Sequence, residues 1–151
     1  MKILAVLFVM LAAAVAVAAD NPYDETANAK LDITNALANA KTPIILVFGA
    51  NWCPDCKELD LAMKKGSSAA LLAHDFKIVH IDVGHFDKNQ DVAESYGVPL
   101  KKGIPAIAII TPKNKVLYVT KEGELANAQK LGETGIYDFF KRVVASVPKT
   151  K

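Results

Sequence analysis

Two cysteines, Cys53 and Cys56, are the residues of this chain whose type and spacing most directly suggest chemistry. They are the only cysteines among 151 residues, and Pro54 and Asp55 alone separate them. Thiolate is the reactive form of cysteine, and the start of a helix stabilises it through free N–H groups and the macrodipole. The spacing places Cys56 one helical turn after Cys53, within reach of it. We therefore interpret the pair first as a redox-active dithiol.

Two other roles for the pair stay open at this point. A structural disulfide is one, but so small a loop removes little chain entropy from the unfolded state. A zinc or copper site is the other, although a closed zinc site needs four ligands and no second ligand pair follows. The histidines, His74, His80 and His85, show no ligand spacing. Redox chemistry is favoured, and we expect neither a metal nor another cofactor.

The segments on either side of the cysteines predict a strand, a turn and a helix. Ile44 to Phe48 is a short apolar run rich in β-branched residues, which is typical of a buried strand. The following helix is predicted from Pro54 to Lys65, and Gly66 is placed to end it. Cys53 would then lie at the turn, where the helix begins.

The rest of the chain alternates helical and strand patterns. Further helices are predicted over 23–40, over 67–74, after a cap at Asp87, and through 136–144, with a polar and partly helical connection over 123–135. Further strands are predicted over 76–83, 106–110 and 116–120, the last two as an antiparallel hairpin. This order predicts an α/β fold with a central four-stranded mixed sheet and helices on both faces.

The N-terminus has the pattern of a secretory signal peptide. Lys2 is followed by an apolar run over 3–19 that ends in alanines, which predicts cleavage after Ala18 or Ala19. An uncleaved membrane anchor is the alternative, because the run approaches the length that spans a bilayer. We expect a signal peptide at 1–19, one domain at 20–151, and a periplasmic or otherwise extracytoplasmic location.

The charge of the chain gives little indication of a charged partner. The sequence has 18 basic and 16 acidic residues, and only Lys2 is lost with the leader. Such a balance does not suggest a nucleic-acid or membrane-surface partner. A single close cysteine pair in an exported protein fits an oxidoreductase better than a disulfide scaffold, which would use several pairs.

Two stretches of the sequence resemble the thioredoxin-like family. Residues 48–57 (FGANWCPDCK) resemble its active-site stretch, and 96–98 (YGV) followed by 103–105 (GIP) resemble the loop that carries its cis-proline. The resemblance extends from the strand at Ile44 to the last helix and implies a thioredoxin fold. It also implies that Cys53 is the attacking thiol, Cys56 the resolving thiol, and Ile104-Pro105 a cis peptide bond packed against the sulfurs. An ordinary proline at a strand entry is the alternative for Pro105.

The resemblance implies a thiol-disulfide oxidoreductase, whose direction depends on the stability of the thiolate. The start of the helix and Lys57 favour a thiolate, whereas Asp55, between the cysteines, disfavours it; with Pro54, these are the residues expected to tune the site. Strong oxidants of this fold have an unusually stable thiolate. We therefore predict a reductant or moderate exchange catalyst for exported proteins. A disulfide oxidase or isomerase, and a non-catalytic peptide- or metal-binding module, are the alternatives.

Trp52, Ile104 and Pro105 are the residues expected to contact substrate. Trp52 either packs in the core or presents a flat apolar platform beside the thiol, and the Ile104 main chain could pair with an extended peptide. The expected partners are protein disulfides or dithiols and a membrane-bound or periplasmic thiol redox partner, without nucleic acid. The protein itself is expected to be a monomer.

The sequence also departs from thioredoxins proper. Val47 and Ile78 stand where the resemblance places a buried acid and its lysine partner, so the usual general base is missing there. Proton transfer would have to use water, Asp55 or Glu58. The loops at 84–89 and 99–102 are longer than in thioredoxin, and because they border the expected active face they could set the choice of partner.

Overall fold

Four strands form the centre of the structure: β1 (Ile44–Gly49), β2 (Lys77–Asp82), β3 (Ala106–Ile110) and β4 (Val116–Val119). Their order in the sheet is β2-β1-β3-β4. β1 runs parallel to β2 and antiparallel to β3, and β3 runs antiparallel to β4. The computed structural model describes residues 21–148, so the predicted signal peptide at 1–19 lies outside the described residues.

The helices of the described chain are α1 (Ala29–Ala38), α2 (Pro54–Lys64), α3 (Gly66–Leu72), α4 (Gln90–Ser95) and α5 (Ala128–Ser146), with a 3₁₀ turn at Leu100–Lys102. α2, α3 and α5 pack on one another, whereas α1 contacts β2. Within 21–148, no helix combines the length and apolar character that crossing a bilayer requires. The predicted α/β fold around a four-stranded mixed sheet is confirmed.

The two inner strands, β1 and β3, are buried along their whole length. A strand with neighbours on both edges and cover on both faces has no solvent side, so its apolar residues run on instead of alternating. This explains the runs IILVF and AIAII in the sequence. β1 therefore sets the position of the start of α2, and β3 sets the position of the loop that leads into β3.

The first helix begins later than the sequence pattern predicts. α1 starts at Ala29 and not near Tyr23, because the Asn28 side chain caps it by accepting a hydrogen bond from the Leu31 N–H at 3.1 Å. Before that cap, the Asp24 carboxylate accepts hydrogen bonds from the backbone and the hydroxyl of Thr26. Such local bonds stabilise a turn in competition with helix. Tyr23 consequently lies outside the helix and is buried.

The predicted cap at Asp87 is wrong. α4 begins at Gln90, and the residue before it, Asn89, has a left-handed backbone with φ of 51°. The Asp87 carboxylate instead accepts a hydrogen bond from the His85 N–H at 2.9 Å, and the Gln90 side chain donates to the Phe86 carbonyl. The polar residues that suggested a capping box thus fold the loop before α4.

The connection over 123–135 is partly helical, as the sequence predicts. α5 begins at Ala128, inside this segment, and it is interrupted at Gly132, where φ is 61°. Glycine tolerates this left-handed backbone because it has no Cβ. The interruption explains why the apolar periodicity of the sequence becomes regular only from Ile136 onwards.

Candidate redox-active site

Cys53 and Cys56 are joined by a disulfide bond at the N-terminus of α2. Their Cα atoms are 5.2 Å apart, within the range that disulfides adopt. Cys53 is 3% exposed and Cys56 is 0% exposed. What little surface the pair presents to solvent therefore belongs to Cys53.

The helix start is arranged to hold negative charge at Cys53. The Cys53 sulfur accepts a hydrogen bond from the backbone N–H of Cys56 at 3.1 Å, so the side chain itself caps the helix. Pro54 follows at a position where a missing N–H costs nothing. After reduction, the same N–H and the helix dipole would stabilise a thiolate on Cys53.

The loop before β3 lies against the disulfide. The Cys53 sulfur is 3.8 Å from the carbonyl oxygen of Ile104. The Ile104-Pro105 peptide bond is cis, and both residues are buried. Because 51 positions separate Ile104 from Cys53, the pairing of β1 with β3 brings them together.

Trp52 belongs to an exposed aromatic patch, which we define as Trp52, His85 and Phe86. The Trp52 side chain is 48% exposed, and its indole N–H donates to the Gly84 carbonyl at 2.8 Å. The Trp52 and His85 rings stack with centroids 5.3 Å apart, and the Trp52 and Phe86 rings meet in an edge-type arrangement with centroids 6.1 Å apart. Of the two interpretations of Trp52, packing in the core does not hold, since half of the side chain faces solvent.

A groove of about 360 Å³ adjoins the aromatic patch. It is lined by Phe86, Gln90, Leu100, Lys101 and Gly103. Phe86 comes from loop 84–89, whereas Leu100 and Lys101 come from loop 99–102. The two loops that the sequence marks as long thus both line one groove.

Asp55 makes a contact that the sequence does not predict. Its carboxylate accepts a hydrogen bond from the Gln129 N–H at 2.9 Å. Gln129 is the second residue of α5, where backbone N–H groups lack partners within the helix. Asp55 therefore caps α5 from a distance of 74 residues, while the Lys57 side chain is exposed.

Replacing Asp55 should change stability through α5. We expect Asp55→Ala to lower the free energy of unfolding by about 1 kcal/mol, as loss of a helix cap does. Asp55→Asn should cost less, because the amide oxygen can still accept the bond. Urea unfolding of the oxidised proteins measures both effects, with Glu58→Ala as a matched carboxylate of the same helix. A loss in Glu58→Ala equal to that in Asp55→Ala would contradict the capping role.

Asp60 is a buried acid that the sequence argument did not identify. The residue is 3% exposed, and its carboxylate oxygens lie 2.7 Å from Lys64 Nζ and 3.1 Å from His80 Nε2. Burial by itself raises the pKa of Asp60, but the bonds to His80 and Lys64 outweigh it and hold the pKa below its ordinary value. Asp60 is therefore an ionised carboxylate in the interior.

Tyr23 and Asp82 extend this buried polar group. Asp82 is 6% exposed, with a carboxylate oxygen 3.3 Å from Lys88 Nζ. The Tyr23 ring meets His80 edge to face, with centroids 5.2 Å apart. Burial, and then the charges of Asp60 and Asp82, raise the pKa of the Tyr23 phenol far above its ordinary value. The hydroxyl therefore keeps its proton.

The buried polar group lies beside Val47, where the resemblance places an acid. Val47 is fully buried and lies opposite His80 in the sheet. Asp60 could have been noticed because it follows Cys56 by four residues and Cys53 by seven, on one helical face. Tyr23 carried no such signal. Within 21–148, no group of three or more His, Cys, Asp or Glu side chains is arranged to hold a metal ion.

Comparison with known proteins supports the same conclusion from sequence and fold. A family model described as thioredoxin-like matches residues 28–112. A thioredoxin from Haemophilus influenzae is 32% identical over 98 residues, which are 65% of this chain and 82% of that protein.

Among solved structures, a disulphide isomerase from Xylella fastidiosa Temecula1 is 48% identical, with a TM-score of 0.77 over 82% of this chain and 96% of that one. A thioredoxin from Thermus thermophilus is 18% identical, with a TM-score of 0.52 over 77% of this chain and 81% of that one, and shows a likeness of fold alone. With a disulfide-bonded Cys-X-X-Cys pair at the helix start, the chain belongs to the thioredoxin-like family.

Proposed function

We propose that this protein reduces or exchanges disulfides of exported proteins through Cys53 and Cys56. The observation that carries the proposal is the disulfide at the start of α2, with the Ile104 carbonyl 3.8 Å from the Cys53 sulfur. A reactive sulfur beside the main chain of this loop would allow an extended peptide to pair with the loop while its disulfide meets Cys53.

The reaction uses the two sulfurs in turn. The Cys53 thiolate attacks one sulfur of the substrate disulfide and displaces the other as a thiolate. The Cys56 sulfur then attacks Cys53, and the bond between Cys53 and the substrate breaks. The substrate gains two electrons and two protons and leaves as a dithiol, while the protein is left with the Cys53–Cys56 disulfide. A thiol redox partner in the same compartment, membrane-bound or periplasmic, returns the pair to its reduced form.

The surface around Cys53 suits an unfolded or extended protein segment. Trp52, which precedes Cys53 in the chain, and Phe86 expose aromatic area, and large aromatic side chains are frequent anchors in binding sites. The groove of about 360 Å³ that Phe86 also lines would take a substrate side chain. With Ile104 and Pro105 these residues form the proposed substrate contact.

The charge of Asp55 favours a reductant over a strong oxidant. Asp55 lies between the cysteines in the sequence, and a negative charge there disfavours a thiolate. The buried carboxylates of Asp60 and Asp82 are paired with Lys64, His80 and Lys88 and do not carry this argument. An oxidant needs a strongly stabilised reduced form. An isomerase is the second candidate, because the Xylella fastidiosa disulphide isomerase is 48% identical.

Two assays test the proposal. The purified protein should catalyse reduction of insulin by dithiothreitol, whereas Cys53→Ser should not. Its reduction potential against glutathione should lie nearer to about −270 mV, as in thioredoxin, than to about −120 mV, as in a strong oxidant. Recovery of active ribonuclease from a scrambled form would favour the isomerase. Absence of both activities would leave a non-catalytic module.

An extracytoplasmic location is part of the proposal and depends on the N-terminal pattern alone. Lys2, the apolar run and the terminal alanines predict export and cleavage. The mass of the protein purified from the periplasm of an expressing bacterium should correspond to a start at Ala19 or Asp20. A protein that kept residues 1–19 and stayed in the cytoplasmic fraction would contradict it.

A further inference from the structure

The N-terminal segment before α1 places a tyrosine beside the resolving cysteine. A methyl group built on Gly49 would lie 2.9 Å from the Cys56 sulfur and still closer to the Tyr23 hydroxyl oxygen. Both atoms thus lie within 3.0 Å of one point, so they are neighbours across the same face of Gly49. Tyr23 is 2% exposed and Cys56 is 0% exposed, which keeps water away from this contact.

The position of Tyr23 is fixed by its backbone. The Asn51 side chain donates to the Tyr23 carbonyl at 2.7 Å and accepts from the Tyr23 N–H at 3.1 Å. Lys88 Nζ donates to the carbonyl of Glu25 at 3.0 Å. The segment is therefore anchored to the loop that leads to Cys53 and to the loop before α4, although it has no regular secondary structure.

The Tyr23 hydroxyl is unpartnered in the disulfide form. Among the residues that the structure describes, no group forms a hydrogen bond with it. A buried hydroxyl without a partner is destabilising and uncommon in native proteins. The Cys56 sulfur shares the space at Gly49 with the hydroxyl, and the Tyr23 ring meets His80 edge to face, but neither gives the hydroxyl a hydrogen bond. A thiolate on Cys56 would be a stronger acceptor than the disulfide sulfur, because hydrogen bonds to ionised groups are stronger.

We propose that the Tyr23 hydroxyl donates a hydrogen bond to the Cys56 sulfur when the pair is reduced, and so stabilises the thiolate that resolves the mixed disulfide. This inference rests on the proposed function. No proton is transferred by Tyr23: Cys56 loses its proton, its sulfur bonds to Cys53, and the departing substrate sulfur ends as a thiol. The phenol is neutral, so it can donate to an anion at Cys56 without adding a charge to the interior.

Other charged groups around the hydroxyl do not take this role. His80 contacts Asp60 and the Tyr23 ring, Lys64 contacts Asp60, and Lys88 contacts Asp82. These cations and the imidazole are engaged with carboxylates. Because burial and the same carboxylates keep the phenol protonated, it can serve as a donor throughout the range in which a thiol titrates.

Tyr23→Phe tests the proposal, because it removes the hydroxyl and keeps the ring. The reduced proteins are titrated by NMR with carbon-13 at the cysteine β-carbons, which reports each thiol separately. We expect the pKa of Cys56 to rise by about one unit, a tenfold loss of thiolate at a given pH below it. Resolution of a preformed mixed disulfide should slow only about threefold, because a less acidic thiol is a better nucleophile.

Tyr96→Phe is the matched control. The Tyr96 hydroxyl bonds Asn114 at 3.0 Å in an exposed position, so its removal should leave Cys56 unchanged. The oxidised Tyr23→Phe protein should be no less stable to urea than wild type, since the hydroxyl has no partner there, whereas the reduced protein should lose stability. Equal losses in both states would assign the hydroxyl a packing role and overturn the proposal.

Asn51→Ala provides a second variant should Tyr23→Phe fold poorly. It removes both side-chain bonds to Tyr23 and should raise the pKa of Cys56 in the same direction by a smaller amount. If the pKa of Cys56 were unchanged or lowered in both Tyr23→Phe and Asn51→Ala, the proposal would be overturned, even if insulin reduction is normal. Conversely, a raised pKa in a protein whose wild type exchanges no disulfides would uphold the contact and refute the proposed function.

Discussion

Cys56→Ser should turn the protein into a trap that keeps its substrates bound through Cys53. The substitution leaves the Cys53 thiolate at the helix start, where the backbone N–H of residue 56 still reaches its sulfur. The first attack therefore proceeds, but no second thiol is present to break the mixed disulfide. Turnover in the insulin assay should fall to the uncatalysed rate, and covalent adducts should accumulate.

The adducts can be measured on non-reducing gels and identified by mass spectrometry. Cys53→Ser is the matched control. It also keeps one thiol of the pair, but this thiol is Cys56, which is fully buried. It should accumulate far fewer adducts from the same periplasmic extract. If Cys53→Ser instead retained the adducts and Cys56→Ser did not, the roles of attacking and resolving thiol would have to be exchanged.

The sheet could be predicted because its signals are local. The apolar runs of β1 and β3 are continuous because these two strands are central in the sheet. The Cys-X-X-Cys spacing is also a local signal, because it lies within one helical turn. The starts of α1 and α4 were wrong because side-chain bonds compete with helix there. Asn28 caps α1 by a bond to Leu31, three residues on. Asp87 has a side chain of the same capping type but bonds His85 instead of starting α4.

The site was predicted less completely than the sheet, because most of its contacts are distant in sequence. Ile104 was identified only through a family resemblance. The bond from Asp55 to α5 spans 74 residues, and that from Asn51 to Tyr23 spans 28. Neither follows from local pattern. A tyrosine at the edge of a predicted helix gives no sign that it will lie beside a sulfur.

The buried polar group contains an acid, although Val47 itself is apolar. Asp60 projects from α2, one turn beyond Cys56, and its charge is balanced by Lys64 and His80. A buried charge is tolerated only when it is paired. The arrangement leaves the Cys56 sulfur close to a neutral donor, Tyr23, instead of a carboxylate in the strand.

Gly49→Ala should destabilise the protein although backbone propensity predicts the opposite. Alanine in a strand is favoured over glycine by about 0.5–1 kcal/mol, because glycine loses more conformational freedom on folding. Here the added methyl would overlap the Tyr23 hydroxyl and approach the Cys56 sulfur to 2.9 Å. Both groups are buried and cannot swing into solvent, and overpacking of this kind costs about 1–3 kcal/mol. The steric effect should therefore prevail, and urea unfolding of the oxidised protein should show a net loss of stability.

A double-mutant cycle with Tyr23→Phe locates the strain. Phenylalanine lacks the hydroxyl that lies closest to the added methyl, so Gly49→Ala should cost less in the Tyr23→Phe background than in wild type. Gly135→Ala in α5 is the control for replacing a glycine as such. The atoms nearest to its added methyl all belong to the Leu131 side chain. We expect the free energy of unfolding to change by no more than about 1 kcal/mol in this variant. Because phenylalanine keeps the ring carbon that would lie 2.5 Å from the methyl, Tyr23→Ala completes the cycle. If the cost of Gly49→Ala were the same in wild type and in both Tyr23 backgrounds, the methyl would be clashing elsewhere. Tyr23 would then not occupy the space between Gly49 and Cys56, and its hydroxyl could not reach the resolving sulfur.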